Sequence, residues 1–395
     1  WDQCQSGAGW HSARRRCSKK DLNLGLVLEN YSQIKRFLFE IQPRQSKEPL
    51  MKAIRFIGAN QPLQMQEIPV PEIGERDILV RVKAAGICHS DAHYRAGISP
   101  VKPVPLTLGH EVAGVVEKVG AQVGNLKIGE RVCLHYNISC GDCYHCSTGN
   151  DQFCEKVLML GHYTNGGYAE YISVPARNAI RLPDEIPFEQ GATLMCASAT
   201  AFHALRKSRL KAGETVAIFG AGGLGQSAIQ LAKAFGAVEV YAVDINDDKL
   251  NLAAQYGAIP VNGNKVNAVE EIKRLTHGKG VDVAIEMIGL PLTMKQALQC
   301  AGVMARVVIV GLSNKPLEIQ TYTELLGNEV ELIGSNDHLL QELPLLVDLA
   351  RRKVLDTSKI VTRTVPLDAN AINATLDSLE KFSGDVRTVI VPASD

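Results

Sequence analysis

The sequence predicts an α/β protein with a β-rich part followed by a doubly wound parallel sheet. Three observations predict it. Short apolar runs punctuated by turns fill residues from about 51 to 195, and strands alternate with helical patterns from Thr215 onward. A glycine-rich turn, GAGGLG, sits where the first of those later strands meets its helix. At 395 residues the chain holds about two domains, on the usual ~100–200 residues each. Apolar residues make up 46%, and 42 basic side chains balance 42 acidic ones, which argues against nucleic acid or a membrane surface as partner. No apolar run approaches the ~18 residues of a membrane span.

Residues 1–50 read differently from the rest. They carry Arg14-Arg15-Arg16 and Lys19-Lys20, but also Asp2, Asp21, Glu29, Glu40 and Glu48, which disfavour a mitochondrial-type presequence. We expect an extension that is mostly disordered and dispensable, with a targeting peptide as the alternative. Truncation at Met51 tests this, since loss of activity would contradict it.

MKAIRFIG, from Met51, alternates as a half-buried strand does. Further β-like runs follow at Ile78–Val82, Ala113–Val119, Arg131–Leu134 and Tyr168–Val174, separated by Pro and Gly. After Thr215 the rhythm changes. TVAIF reads as a buried strand, Leu224–Phe235 as a helix, VEVYAVD as a strand and Asp248–Tyr256 as a helix. Val281–Ile288 pairs with Leu292–Cys300, Arg306–Val310 with the segment near Glu324, and Val330–Ile333 closes the series as a last strand. Such alternation implies a parallel sheet with right-handed crossovers. A helical stretch near Leu339–Arg352 and a strand-like VRTVIVP end the chain, the latter suited to return to the first domain.

Cys140, Cys143, Cys146 and Cys154 form C-x2-C-x2-C-x7-C. One loop with this spacing can present four sulfurs to a single ion. Thiolates at about 2.3 Å suit zinc, and four protein ligands leave no open position for chemistry, so this site is expected to be structural. Ten cysteines without a visible secretory signal read as metal ligands and free thiols in a reducing, cytoplasmic compartment. Cys4, Cys17, Cys133 and Cys300 are expected to be tail or core thiols, and His145 and His162 plain loop residues.

Gly220, Gly222, Gly223 and Gly225, with Leu224 between, directly follow a strand and open a helix. Glycines there permit a tight turn and let backbone N–H groups approach a pyrophosphate at the helix N-terminus. Asp244 ends the next strand, where a carboxylate binds ribose hydroxyls and repels a 2′-phosphate, favouring NAD over NADP. A strand-capping role is the plainer reading. Cys88 in GICHSDAH, His110-Glu111 in LGHEVAG and Cys196 in TLMCASAT are scattered, and from spacing alone a buried free cysteine is ordinarily core.

From about Met51 to the end, the chain resembles the zinc-dependent medium-chain alcohol dehydrogenases, and most of all their bacterial and archaeal NAD-dependent members. GICHSDAH, GHEVAGVV, the four-cysteine loop, GGYAEY at Gly166–Tyr171, GAGGLG and VRTVIV carry the resemblance, in order. It implies a GroES-like catalytic domain over 51–196 and 335–395, around a Rossmann domain over 197–334. It also implies two zinc ions per subunit and reversible hydride transfer from a small alcohol to NAD. A polyol or cyclic-alcohol dehydrogenase on the same scaffold is the alternative, and a non-catalytic nucleotide-binding relative the remote one. Cys88, His110 and Cys196 would hold the catalytic zinc, a ligand set known from alcohol dehydrogenases themselves. Glu111 would lie behind the ion, and Asp91 would orient His110.

By the same resemblance Ser90 would accept the alcohol proton and pass it through the nicotinamide ribose to His93. Arg387 would bind the pyrophosphate and Lys249 would reach the adenosine ribose. His89 stands where many relatives carry arginine and would hold the dinucleotide less tightly; NADH-release kinetics of His89→Arg test that. Phe202 and Leu312 are candidates for the cleft lining. Homodimers or tetramers would form through the sheet edge around Val303–Ile333.

Overall fold

Two sheets organise the computed structural model, which describes residues 49–381 and 385–393. The expectation for the N-terminal extension therefore lies, up to residue 48, outside the described residues.

Asp77–Ile87 is the spine of the first sheet. It pairs antiparallel with Glu111–Val119, with Tyr171–Pro175 and with the C-terminal strand Thr388–Ile390. VRTVIVP thus does return to the N-terminal sheet, and it also pairs in parallel with Arg363–Val365. Arg131–Leu134 and Ala179–Arg181 complete the seven strands.

The second sheet has six parallel strands. Its order is Ile259–Asn262, Glu239–Asp244, Thr215–Phe219, Val281–Glu286, Ala301–Ile309 and Glu331–Gly334. Numbered along the chain from Thr215–Phe219, this order is the doubly wound arrangement, which reverses between the first and fourth strands. Helices cover both faces, so four of the five TVAIF side chains are buried and the strand reads as a continuous apolar run. The strand Ile259–Asn262 and the helix Ala268–Leu275 go unread in the sequence. IPVN is short and carries Pro260, which demotes it as a strand signal, and it lies two places from the Thr215 strand, on the edge of the sheet where proline is tolerated.

A helical stretch from Phe188 to Ser208 packs against the helix Gly223–Ala234. Phe202 belongs to that contact: it is buried and meets the Phe235 ring edge-on at 5.6 Å. It is a core residue, which corrects its proposed place in the cleft. Among the described residues, no helix is long and apolar enough to cross a membrane.

Candidate active site

Cys196 sits in a π-helical turn, Leu194–Ser198, set between the α-helices Phe188–Thr193 and Ala199–Ser208. Such bulges interrupt a helix at a local cost and recur at functional sites. Cys88 is the N-cap of the short helix His89–Arg95. His110 precedes the strand Glu111–Val119. Three separate stretches of chain thereby bring ligand atoms of Cys88, His110, Glu111 and Cys196 within 4.8 Å of one another, all buried.

Neighbouring groups hold this cluster in place. Asp91 Oδ2 accepts hydrogen bonds from the Cys88 amide at 2.9 Å and from the Tyr168 hydroxyl at 2.9 Å. Its Oδ1 lies 3.6 Å from His110 Nδ1, an ion-pair distance, and both nitrogens of that ring are buried without a hydrogen-bond partner. Burial works against a charged His110, but Asp91 beside it holds the imidazole pKa well above its usual value. Tyr168 escapes sequence reading as a site residue, although GGYAEY contains it. Its ring also explains Gly109: that residue has φ +96°, and a Cβ there would lie 2.3 Å from the Tyr168 ring.

Glu111 Oε1 accepts from Arg387 Nη2 at 2.6 Å, while its Oε2 is buried and unpartnered. Burial pushes its carboxyl up to about 7, against the pull of the Arg387 guanidinium. Arg387 Nη1 donates to the Ile87 carbonyl at 3.0 Å, and Nε is the atom nearest a Cβ built on Gly223, at 3.3 Å. The arginine expected at the pyrophosphate therefore lies under the glycine-rich turn with two of its nitrogens already engaged. The donor set suits zinc: two thiol sulfurs and an imidazole nitrogen aligned by a carboxylate, with a fourth place beside them.

The four-cysteine loop forms a second cluster. Sulfur separations are 3.4 Å for Cys140–Cys154, 3.6 Å for Cys143–Cys146 and 3.9 Å for Cys140–Cys146. Four sulfurs placed tetrahedrally at about 2.3 Å from one ion lie about 3.8 Å apart, so the cage has the dimensions of a zinc site. Backbone amides of Cys140, Cys143 and Lys156 point at the sulfurs of Cys154, Cys140 and Cys154. N–H groups of Cys146 and Glu155 bring the Cys143 thiol down to about 6.

On the parallel sheet, Gly220 has φ +99°, and a Cβ on Gly225 would lie 1.8 Å from the Gly220 carbonyl oxygen. Those two glycines make the turn and its close packing on the helix. Gly222, by contrast, faces open space where its Cβ would be, a cradle of the kind a phosphate fills. Leu224 lies in the first turn of the helix. Asp244 Oδ2 accepts the Ala221 amide at 2.7 Å, and Oδ1 accepts those of Ile245 at 2.7 Å and Asn246 at 3.0 Å. The carboxylate therefore shapes the turn as well as ending the strand. Gln226 Nε2 donates to the Ala221 and Lys249 carbonyls, tying the turn to the helix Asp247–Gln255.

Ser90 Oγ lies 3.8 Å from Cys88 Sγ. His89 and His93 meet edge-on at 4.8 Å, and burial lowers the pKa of both. Lys249 is one of the cations that disfavour a charged His89. His162 is more than a loop residue, being buried and stacked on Tyr94 at 4.6 Å.

Two family models match the chain: the alcohol dehydrogenase GroES-like domain over residues 74–184 and zinc-binding dehydrogenase over 223–351. An NAD-dependent alcohol dehydrogenase of Sulfurisphaera tokodaii is 33% identical over 87% of this chain and 100% of its own length. An L-threonine 3-dehydrogenase of Symbiobacterium thermophilum is 38% identical over 72% of this chain and 82% of its own. A solved structure from Sinorhizobium meliloti 1021, described as a zinc-binding dehydrogenase bound to NADP, superposes with TM-score 0.80 at 32% identity, covering 87% of this chain and 100% of that one. With both domain models matched in order, and relatives aligned along nearly their whole length, this chain belongs to the zinc-dependent medium-chain alcohol dehydrogenase family.

Proposed function

We propose that the chain is a zinc- and NAD-dependent alcohol dehydrogenase interconverting a primary or secondary alcohol with its aldehyde or ketone. The observation that carries this reading is the buried convergence of Cys88, His110, Glu111 and Cys196 within 4.8 Å, with Arg387 reaching from Glu111 to the turn at Gly223. Metal ligands and the dinucleotide cradle thus share a side chain. When bound, zinc polarises the alcohol oxygen as a Lewis acid and NAD takes up the hydride.

The chain's own residues supply the rest. Cys88, His110 and Cys196 hold the ion, with Glu111 as a further donor drawn aside by Arg387. Asp91 fixes the His110 ring and is itself fixed by Tyr168. Ser90 accepts the alcohol proton, and His93, held neutral by burial, takes it on towards solvent. Gly220, Gly222, Gly223, Leu224 and Gly225 receive the pyrophosphate, with Arg387 below and His89 beside it. Asp244 and Lys249 address the adenosine ribose. Cys140, Cys143, Cys146 and Cys154 hold a structural zinc.

We assign 51–196 and 335–395 to the catalytic half and 197–334 to the dinucleotide half. Exposed Val303, Met304, Tyr322, Leu326 and Leu332 near the edge strand Glu331–Gly334 support a homodimer or homotetramer. A monomer by light scattering would reject that. Eight described cysteines are all unpaired, which supports a cytoplasmic location, testable by cell fractionation.

Metal analysis alongside turnover tests the whole reading. Purified enzyme should carry one zinc for each of the two clusters. Cys196→Ser should lose one zinc and all turnover while keeping its circular dichroism spectrum. Retained turnover would remove Cys196 from the site.

A further inference from the structure

Glu286 is the last residue of the strand Val281–Glu286, and its carboxylate is fully buried away from both cysteine clusters. It stands where the sheet order reverses, paired with Phe219, the residue before Gly220. A dinucleotide crosses a doubly wound sheet at that crevice, outside the carboxyl ends of the strands, with one half on either side. Asp244 ends the strand that flanks Thr215–Phe219 on one side, and Glu286 ends the strand that flanks it on the other.

The two carboxylates act on the backbone in the same way. Asp244 gathers the amides of Ala221, Ile245 and Asn246. Glu286 Oε1 accepts the amides of Ile288 and Gly289, both at 2.9 Å, and the Thr293 hydroxyl at 2.7 Å. These bonds fold residues 287–290 into a tight loop ahead of the helix Pro291–Gln299, whose N-cap, Leu290, offers no side-chain acceptor of its own. The loop borders the glycine-rich turn directly. The Met287 amide donates to the Phe219 carbonyl at 3.0 Å, and a Cβ on Gly220 would lie 2.9 Å from Ile288 Cγ1. It also touches the loop that follows Ala301–Ile309. The Val310 and Gly311 amides donate to the Glu286 carbonyl at 2.9 and 3.1 Å. Gly289, at φ +91°, comes so close that a Cβ would lie 2.2 Å from the Leu312 carbonyl oxygen. Leu312, a candidate for the cleft lining, is on this rim with its side chain 61% exposed.

Folding alone does not call for a carboxylate here. Glu286 Oε2 is buried without a partner, facing Gly311, where a Cβ would lie 2.7 Å from it. Burial pushes the carboxyl up, against the pull of the donors around it. An apolar side chain of the same length would spare the fold that unpaired oxygen. What only the carboxylate provides is the fixed shape of two adjoining loops at the crevice.

We propose that Glu286 is a positioning residue for the nicotinamide half of the cofactor, holding the loop 287–290 in the shape that receives the dinucleotide through the amides of Ile288 and Gly289 and the hydroxyl of Thr293. This rests on the NAD-dependent reading and deepens it. Glu286 touches neither cofactor nor substrate; the loop it holds does the receiving.

The test is NADH binding by fluorescence titration and ADP binding by calorimetry, on the zinc-loaded enzyme and its variants, with melting temperatures alongside. A loop that keeps the receiving shape about a tenth of the time raises the apparent dissociation constant about tenfold. Glu286→Met has a similar length and no acceptor, so it should weaken NADH about tenfold and ADP, the adenosine half, by about threefold at most. Glu286→Gln keeps an accepting oxygen and should stay within about threefold of the wild type for both. Thr293→Val removes one of the three donors and should weaken NADH about threefold. It decides the matter if Glu286→Met does not fold. A lowered melting temperature with NADH affinity unchanged, or NADH and ADP weakened alike, would overturn the assignment. If the wild type binds neither nucleotide, the NAD-dependent reading falls and this one with it; wild-type NADH binding that neither variant disturbs sinks this inference alone.

Discussion

Replacing Gly86 with alanine should break a buried ion pair that lies nowhere near it in sequence. Gly86 faces Glu111 across the pairing of Asp77–Ile87 with Glu111–Val119. A Cβ there would lie 2.0 Å from Glu111 Oε2 and 3.0 Å from Glu111 Cβ. The carboxylate cannot simply swing aside, because Oε1 is held by Arg387 Nη2 at 2.6 Å and both residues are buried. Overpacking alone costs about 1–3 kcal/mol, whereas leaving a buried charge without its partner costs about 3–5. The second figure applies if Glu111 is driven off. In a folded body of this size 1 kcal/mol shifts Tm by roughly 1–1.5 °C, so a fall of about 4–7 °C is expected. Differential scanning calorimetry of Gly86→Ala, alone and with Glu111→Ala, measures it. In the double variant the clash with the carboxylate is gone, and the added cost of the Gly86 change should drop to about 1 kcal/mol, the residual overpacking. A fall under about 1 °C in the single variant, or an equal added cost in both backgrounds, would refute the argument.

Other expectations are equally specific. Gly225→Ala places a Cβ 1.8 Å from the Gly220 carbonyl, so NAD affinity by fluorescence titration should fall at least about tenfold, with catalytic zinc content retained. Asp244→Ala should lower the NAD-to-NADP ratio of kcat/KM, and its loss of the Ala221 amide contact should weaken both cofactors; an unchanged ratio would count against the ribose role. Burial pushes the Cys133 and Cys300 thiols up to about 12, so neither forms thiolate at neutral pH. Mass spectrometry after iodoacetamide treatment of native enzyme should find both unmodified, and early labelling of either would show that it is reached by solvent.

Local motifs were the legible part of this chain. The four-cysteine cage, the glycine-rich turn and its following helix lie within short stretches, so spacing carries their geometry. The cluster of Cys88, His110, Glu111 and Cys196 was legible only through its resemblance to a family, because Cys88 and Cys196 meet by way of a sheet and a π-helical turn that no periodicity announces. Pairings across the chain stayed hidden. Arg387 and Glu111 are 276 positions apart, and Tyr136 and Asp337 are 201 apart. Phe202 shows the opposite error. It was a candidate for the cleft lining, but its helix turns that face to Phe235.

The x7 segment between Cys146 and Cys154 does two jobs at once, and that separates them for engineering. It is flanked by Cys146 and Cys154, while its residues Asn150, Gln152 and Phe153 line a cavity of about 540 Å³ and Asp151 accepts the Leu340 amide. The four-cysteine cluster therefore acts as a clamp for an exchangeable panel. Residues of that panel other than Asp151 can be replaced, even as a grafted loop of equal length, without altering a ligand of either cluster. A library confined to those positions should change which alcohols are turned over while zinc content stays constant.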